Sequence, residues 1–106
     1  MSKYKVFTLP EFNDDVIKTF SKSEQEQLDN ILDELSEKGS LVGKPLSYDF
    51  FREKRIQGKR IYFLVYEEIV LVLIIAQSNK KDQQETINKI KERIPDYKKY
   101  VYEELI

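Results

Sequence analysis

The chain is 106 residues long, which is the size of one domain (1–106), and 41% of it is hydrophobic, well above the composition of a disordered chain. Lys and Arg total 18 against 19 Asp and Glu, so the net charge of −1 excludes a uniformly basic nucleic-acid binder. There is no Cys and no His, which excludes a disulfide framework, Cys- or His-ligated zinc, thiol catalysis and a Ser-His-Asp triad.

Tyr4-Lys5-Val6-Phe7-Thr8 is aromatic and β-branched and predicts a short strand. Leu9-Pro10 ends it, and Pro10 suits the first turn of a helix, where Glu11, Asp14 and Asp15 meet the positive end of the dipole. Phe12, Val16, Ile17 and Phe20 are expected on its inner side. A second helix follows with two possible capping boxes, Ser21 with Glu24 or Ser23 with Glu26. Leu28, Ile31, Leu32 and Leu35 form its apolar stripe, and Gly39 is a natural stop.

Ser40 to Asp49, with Gly43, Pro45 and Ser47, reads as a loop. Phe50–Ile56 and Lys59–Tyr66 are strand-like runs joined at Gln57-Gly58, which predicts a hairpin. Glu67-Glu68 is a second break, poor in turn chemistry, before a third apolar strand, Ile69–Ala76. Both apolar runs belong mid-sheet, with Tyr62 and Tyr66 in the core. After a polar break at Gln77–Lys81, Asp82 caps a helix carrying Ile87, Ile90 and Ile94. Pro95 is expected to interrupt it, leaving a last helix, Asp96–Leu105, with Tyr97, Tyr100, Val101 and Leu105 on one side. The order β-α-α-β-β-β-α-α predicts an α+β domain on a mostly antiparallel sheet. No apolar run of signal-peptide or membrane-spanning length is present, so the expectation is a soluble, cytoplasmic protein without a membrane partner.

Charge is unevenly spread. Phe50 to Arg60 carries Arg52, Lys54, Arg55, Lys59 and Arg60 against Glu53 alone, a local +4. Lys80-Lys81 adds two cations past the third strand. Alternation along a strand sends Arg52 and Lys54 one way, and Phe51, Glu53 and Arg55 the other. The hairpin brings Arg55 near Arg60. On charge alone, these cations are either a solvated strand face or a surface for a phosphate backbone. Adjacent carboxylates at Glu67-Glu68 diverge on a turn and make a poor acid–base pair. No phosphate loop, dinucleotide fingerprint or metal-ligand cluster is present, and neither metal nor cofactor is expected.

Lys44-Pro45-Leu46, Phe51-Arg52-Glu53-Lys54-Arg55-Ile56, Gly58-Lys59-Arg60-Ile61, and then Glu67-Glu68 before an apolar strand, together resemble the RelE/ParE toxin superfamily. The resemblance runs over most of the chain and leans to the RelE and HigB side. It implies a compact RelE-like domain, with two N-terminal helices packed on a mostly antiparallel four-stranded sheet and C-terminal helices. It also implies the toxin of a type II toxin–antitoxin pair, monomeric or a small homo-oligomer when free, and neutralised by a cognate antitoxin with an acidic or amphipathic segment.

RelE-type members cut mRNA on the ribosome without a metal, using the substrate's own 2′-hydroxyl as nucleophile and placed cations to stabilise the phosphate. By that resemblance the catalytic candidates are Arg60, Lys54, Arg55 and Lys81, and the RNA-binding candidates are Arg52, Lys59 and Lys80. Ile87 stands where the family's tyrosine would be, and the histidine of some relatives has no counterpart. The alternatives are a ParE-like, non-enzymatic inhibitor of gyrase and a non-toxic relative that only binds a partner.

Overall fold

The first strand, β1 (Lys5–Thr8), leads through Leu9 into helix α1 (Pro10–Thr19), with proline in its first turn. Helix α2 (Lys22–Lys38) starts at Ser21 and stops at Gly39. The computed structural model describes residues 3–106, so Met1 and Ser2 of the single expected domain lie outside the described residues. Of the two possible capping boxes, the one built is Ser21 with Glu24. The Glu24 amide donates to Ser21 Oγ at 3.1 Å, and the Ser21 amide donates to Glu24 Oε1 at 2.8 Å. Gly39 takes φ +51°, and the ring of Tyr4 fills the space where a side chain would project.

Four further strands follow: β2 (Lys44–Pro45), β3 (Phe51–Ile56), β4 (Lys59–Tyr66) and β5 (Leu71–Asn79). The sheet runs β1-β5-β4-β3-β2, parallel at β1/β5 and antiparallel elsewhere. It therefore has five strands where four were expected. The extra one is a two-residue pairing of Lys44-Pro45 with Glu53 and Arg52, inside the predicted loop. Proline is tolerated there because β2 is an edge strand and need not donate outward.

The hairpin turns at Gln57-Gly58, and it is Gln57 that takes the positive φ of 53°. Between β4 and β5, Glu67–Ile69 form one turn of 3-10 helix, closed by Val70 in the left-handed region. The two glutamates part there. Glu67 accepts from Tyr4 Oη at 2.7 Å, and Glu68 accepts from Tyr102 Oη at 2.6 Å. Each carboxylate staples a different end of the chain to this turn.

The two sheet faces carry separate cores. On one, Phe12, Val16, Phe20, Leu28, Ile31 and Leu35 of α1 and α2 pack on Ile56, Ile61, Phe63, Val65, Val72 and Ile74. Ile17, expected inside, is 74% exposed. It lies about 100° round the helix from Val16, and the stripe that fits the sheet is the narrow Phe12-Val16-Phe20 row.

On the other face, Phe51, Tyr62, Leu64, Tyr66, Leu71, Leu73 and Ile75 are covered by Ile87 and Ile90 of helix α3 (Gln83–Tyr100) and by Val101 just after it. The two C-terminal helices predicted from Pro95 are one. The helix runs through Pro95 and closes in a wider turn over Val101–Leu105. Proline deprives the Lys91 carbonyl of its helical donor. Lys91 and Pro95 are both exposed, so water replaces that bond while Ile94 and Tyr97 stay packed on the sheet. No described helix is long and apolar enough to cross a membrane.

Candidate anion site at the hairpin end of the sheet

Cross-strand register decides which cations share a face. Arg55 pairs with Arg60, and Glu53 with Tyr62. Arg60 and Tyr62 pair in turn with Ser78 and Ala76. These residues form the hairpin end of the α3-covered face. Arg52 pairs with Phe63, and Lys54 with Ile61, so both belong to the α1/α2 face.

Arg60 is only 7% exposed. Among the described residues no carboxylate lies within 4.0 Å of its guanidinium. It opens into a recess of about 180 Å³ lined by Arg55, Gln57, Gly58, Arg60 and Lys80. The recess thus has three cations and no acid in its wall. A guanidinium with no carboxylate partner that opens into such a recess keeps its donors for an incoming anion. Beside it the Tyr62 hydroxyl and Ser78 Oγ share a buried hydrogen bond of 2.7 Å. Burial pushes the Tyr62 phenol up, the Ser78 bond opposes this, and the nearby Glu53 and Arg60 charges act in opposite directions.

Glu53 is held at this end by Gln83, the first residue of α3, whose amide Nε2 donates to both carboxylate oxygens at 3.1 and 3.3 Å. Residues on adjacent strands offset by two lie about 7–8 Å apart, which is the relation of Glu53 to Arg60.

The remaining candidates lie elsewhere. Arg52 clasps the loop before β3. Its Nε donates to the Val42 carbonyl at 2.8 Å, and its terminal nitrogens donate to Gly43 at 3.0 Å and Asp49 at 3.1 Å. Lys59 is drawn onto the helical face, where its Nζ meets Glu24 at 2.7 and 2.9 Å and sits 5.1 Å from the Phe20 ring centre. That ammonium, with the Ser21 amide, holds the Glu24 carboxyl below the usual range. Lys54 approaches Glu34 at 4.0 Å, with both side chains well exposed. Lys81 is exposed in the turn before α3 and does not line the recess, and Ile87 is buried under the helix.

Seven cations were candidates, and the fold brings Arg55, Arg60 and Lys80 together. Glu53, Gln83, Tyr62 and Ser78 were not candidates. Residue parity in β3 already paired Glu53 with Arg55, and that was the signal available for it. Among the described residues, no group of three or more His, Cys, Asp or Glu side chains is arranged to hold a metal ion. A larger cleft, about 460 Å³ between the start of α1 and the far half of α3, mixes Glu11, Asp96 and Arg93 and lies away from this cluster.

No protein-family model and no curated protein sequence matches the chain. Solved structures do. A substituted variant of the Escherichia coli toxin RelE in the free state superposes with a TM-score of 0.71 at 23% identity, over 89% of this chain and 99% of that one. A chain of the Mycobacterium tuberculosis toxin–antitoxin complex RelBE2 gives 0.61 at 21% identity, over 76% and 94%. A chain of the archaeal RelE–RelB complex from Pyrococcus horikoshii gives 0.61 at 12%, over 74% and 96%. The strand order, the paired N-terminal helices and the helix across the opposite face thus make a RelE-like toxin fold.

Proposed function

We infer that the chain is the toxin of a type II toxin–antitoxin pair, acting as an endoribonuclease on mRNA held by the ribosome. The observation that carries this reading is Arg60, a buried arginine with no carboxylate partner that faces an open, wholly cationic recess. A phosphodiester fits the recess by charge, and Arg60 with Arg55 supplies planar donors to its non-bridging oxygens. Those donors gain most when the phosphorus carries the extra charge of a five-coordinate state, so they favour the transition state over the bound substrate. The nucleophile is the RNA's own 2′-hydroxyl, and no covalent protein intermediate is needed. Lys80 in the wall, with the exposed Lys81 next to it in the chain, draws the strand in.

An antitoxin partner fits the same surface. An acidic segment lying across Arg55 and Lys80 would occupy the recess and silence it. Relatives of this fold have been solved as RelE–RelB complexes, which supports a partner of that kind.

Induced expression in a bacterial host, followed by primer extension on a translated reporter, tests the reading. Cleavage inside codons by the wild type, absent for Arg60→Ala, is the expected result. Growth arrest with intact mRNA would replace it with inhibition of a protein target such as gyrase. The net charge of −1 and the tying of Arg52 and Lys59 into the fold favour that second reading, because fewer cations remain for ribosomal RNA.

A further inference from the structure

The ribonuclease reading leaves one step without an agent: removal of the 2′-hydroxyl proton. The chain has no histidine, and the wall of the recess holds neither a tyrosine nor a carboxylate, so the nearest acid on the same face, Glu53, stands just outside it. Resting on that reading, we propose that Glu53 is the general base and that Gln83 is its positioning residue.

Glu53 shares the α3-covered face with Arg55 and Arg60, two residue pairs further along the strands and next to them on that face. Its carboxylate is half-buried and is gripped by the Gln83 amide through both oxygens. Each oxygen keeps a further lone pair for a hydroxyl proton. Among the described residues it forms no ion pair within 4.0 Å, although charged groups surround it. Lys44 faces it from β2, Arg60 and Tyr62 from β4, Arg55 from its own strand and Gln83 from α3. A carboxylate beside a phosphate clamp weakens phosphate binding. Fixing one there serves chemistry better than affinity.

The proton balance closes. The 2′-oxygen gives its proton to Glu53 and bonds to phosphorus, and the bond from phosphorus to the 5′-oxygen breaks. That oxygen takes a proton from water at the open mouth of the recess, and the proton on Glu53 restores the water. The products are a 2′,3′-cyclic phosphate and a 5′-hydroxyl.

Single-turnover cleavage on ribosomes programmed with a defined mRNA, measured across acid to neutral pH, tests the proposal. Glu53→Gln keeps a side chain that Gln83 can hold, yet it is expected to slow cleavage by about 10²–10⁴-fold and to abolish the rise of rate with pH. Glu53→Asp recovers part of the rate with the pH dependence intact. Gln83→Leu slows cleavage by about 10-fold and shifts the acid limb without removing it.

Thermal unfolding of each variant establishes that it is folded. Glu53→Gln cutting within about threefold of wild type at every pH, while Arg60→Ala is inactive, would overturn the base and leave the ribonuclease reading standing. Equal losses in folded Glu53→Gln and Glu53→Asp would also overturn it. A folded wild type that cuts no mRNA would overturn the ribonuclease reading, and the base with it.

Discussion

The two faces of the β3–β4 hairpin are made from interleaved residues and use their cations in opposite ways. On the α1/α2 side, Arg52, Lys54 and Lys59 answer partners within the fold: loop carbonyls, Glu34 and Glu24. On the α3 side, Arg55, Arg60 and Lys80 surround a recess and answer none within 4.0 Å among the described residues. The same residue types, a single step apart in sequence, are structural on one face and available on the other. Charge content alone does not separate these uses. Pairing does, because a cation tied to partners within the fold stabilises the native state and one that faces an open recess keeps its donors for a ligand.

That contrast breaks most sharply at Arg60. Arg60→Ala should lower mRNA cleavage by about 10²–10³-fold, the usual cost of removing a transition-state donor. Arg60→Met should leave the melting temperature at or above that of the wild type, since Arg60 gives up no ion pair within the fold. Primer extension and a thermal melt on the same preparations read both effects. A melting temperature that falls for Arg60→Met would mean that the guanidinium is satisfied within the fold.

Arg52→Ala is the mirror case. It removes three charge-assisted bonds to loop carbonyls and should cost about 2–3 kcal/mol in denaturant unfolding, with cleavage per folded molecule unchanged.

Lys59→Met comes next, at about 1–2 kcal/mol for a half-buried pair. It carries a pH signature. The Glu24 carboxyl is held below its ordinary 4.5 in the folded state, first by the Lys59 bond. The stability it adds is therefore complete above about pH 4.5 and is lost as pH falls through the folded-state value. Melts from neutral to acid pH should show a shallower decline in Lys59→Met than in the wild type. Lys54→Ala should do least, changing stability by no more than about 0.5 kcal/mol, because its contact with Glu34 is long and exposed.

Much of this molecule was readable before its structure. Local rules act at the cap of α2, where the sequence offers Ser21 and Ser23 and the fold uses Ser21, at the Gly39 stop and at the Gln57-Gly58 hairpin. The α+β class followed from the order of elements and the core positions of Tyr62 and Tyr66 from their apolar strand, while the helix pair on one face was what the resemblance to the RelE/ParE toxins implied.

What escaped depends on tertiary partners. Lys44-Pro45 is a strand only because β3 lies beside it. The helix through Pro95 survives because its freed carbonyl faces water and its inner side is packed. Ile17 is exposed because one narrow row of α1 meets the sheet.

At the site, the sequence showed that Arg52 and Lys54 oppose Glu53 and Arg55, but not which set faces the recess. That choice rests on the hairpin register and on which side α3 crosses. Lys54 is a catalytic candidate by the resemblance, and strand parity alone does not say that the recess lies on the opposite face, with Arg55 and Arg60; Glu53 carries no such sign, because its tether, Gln83, is 30 residues away.

The measurement that bears most directly on the two-faced hairpin compares Arg55→Ala with Lys54→Ala, neighbours in sequence on opposite faces. Rates of mRNA cleavage on programmed ribosomes should fall by about 10–100-fold for Arg55→Ala and stay within about threefold for Lys54→Ala. Equal losses, or a larger loss at Lys54, would contradict the assignment of the recess as the site of action.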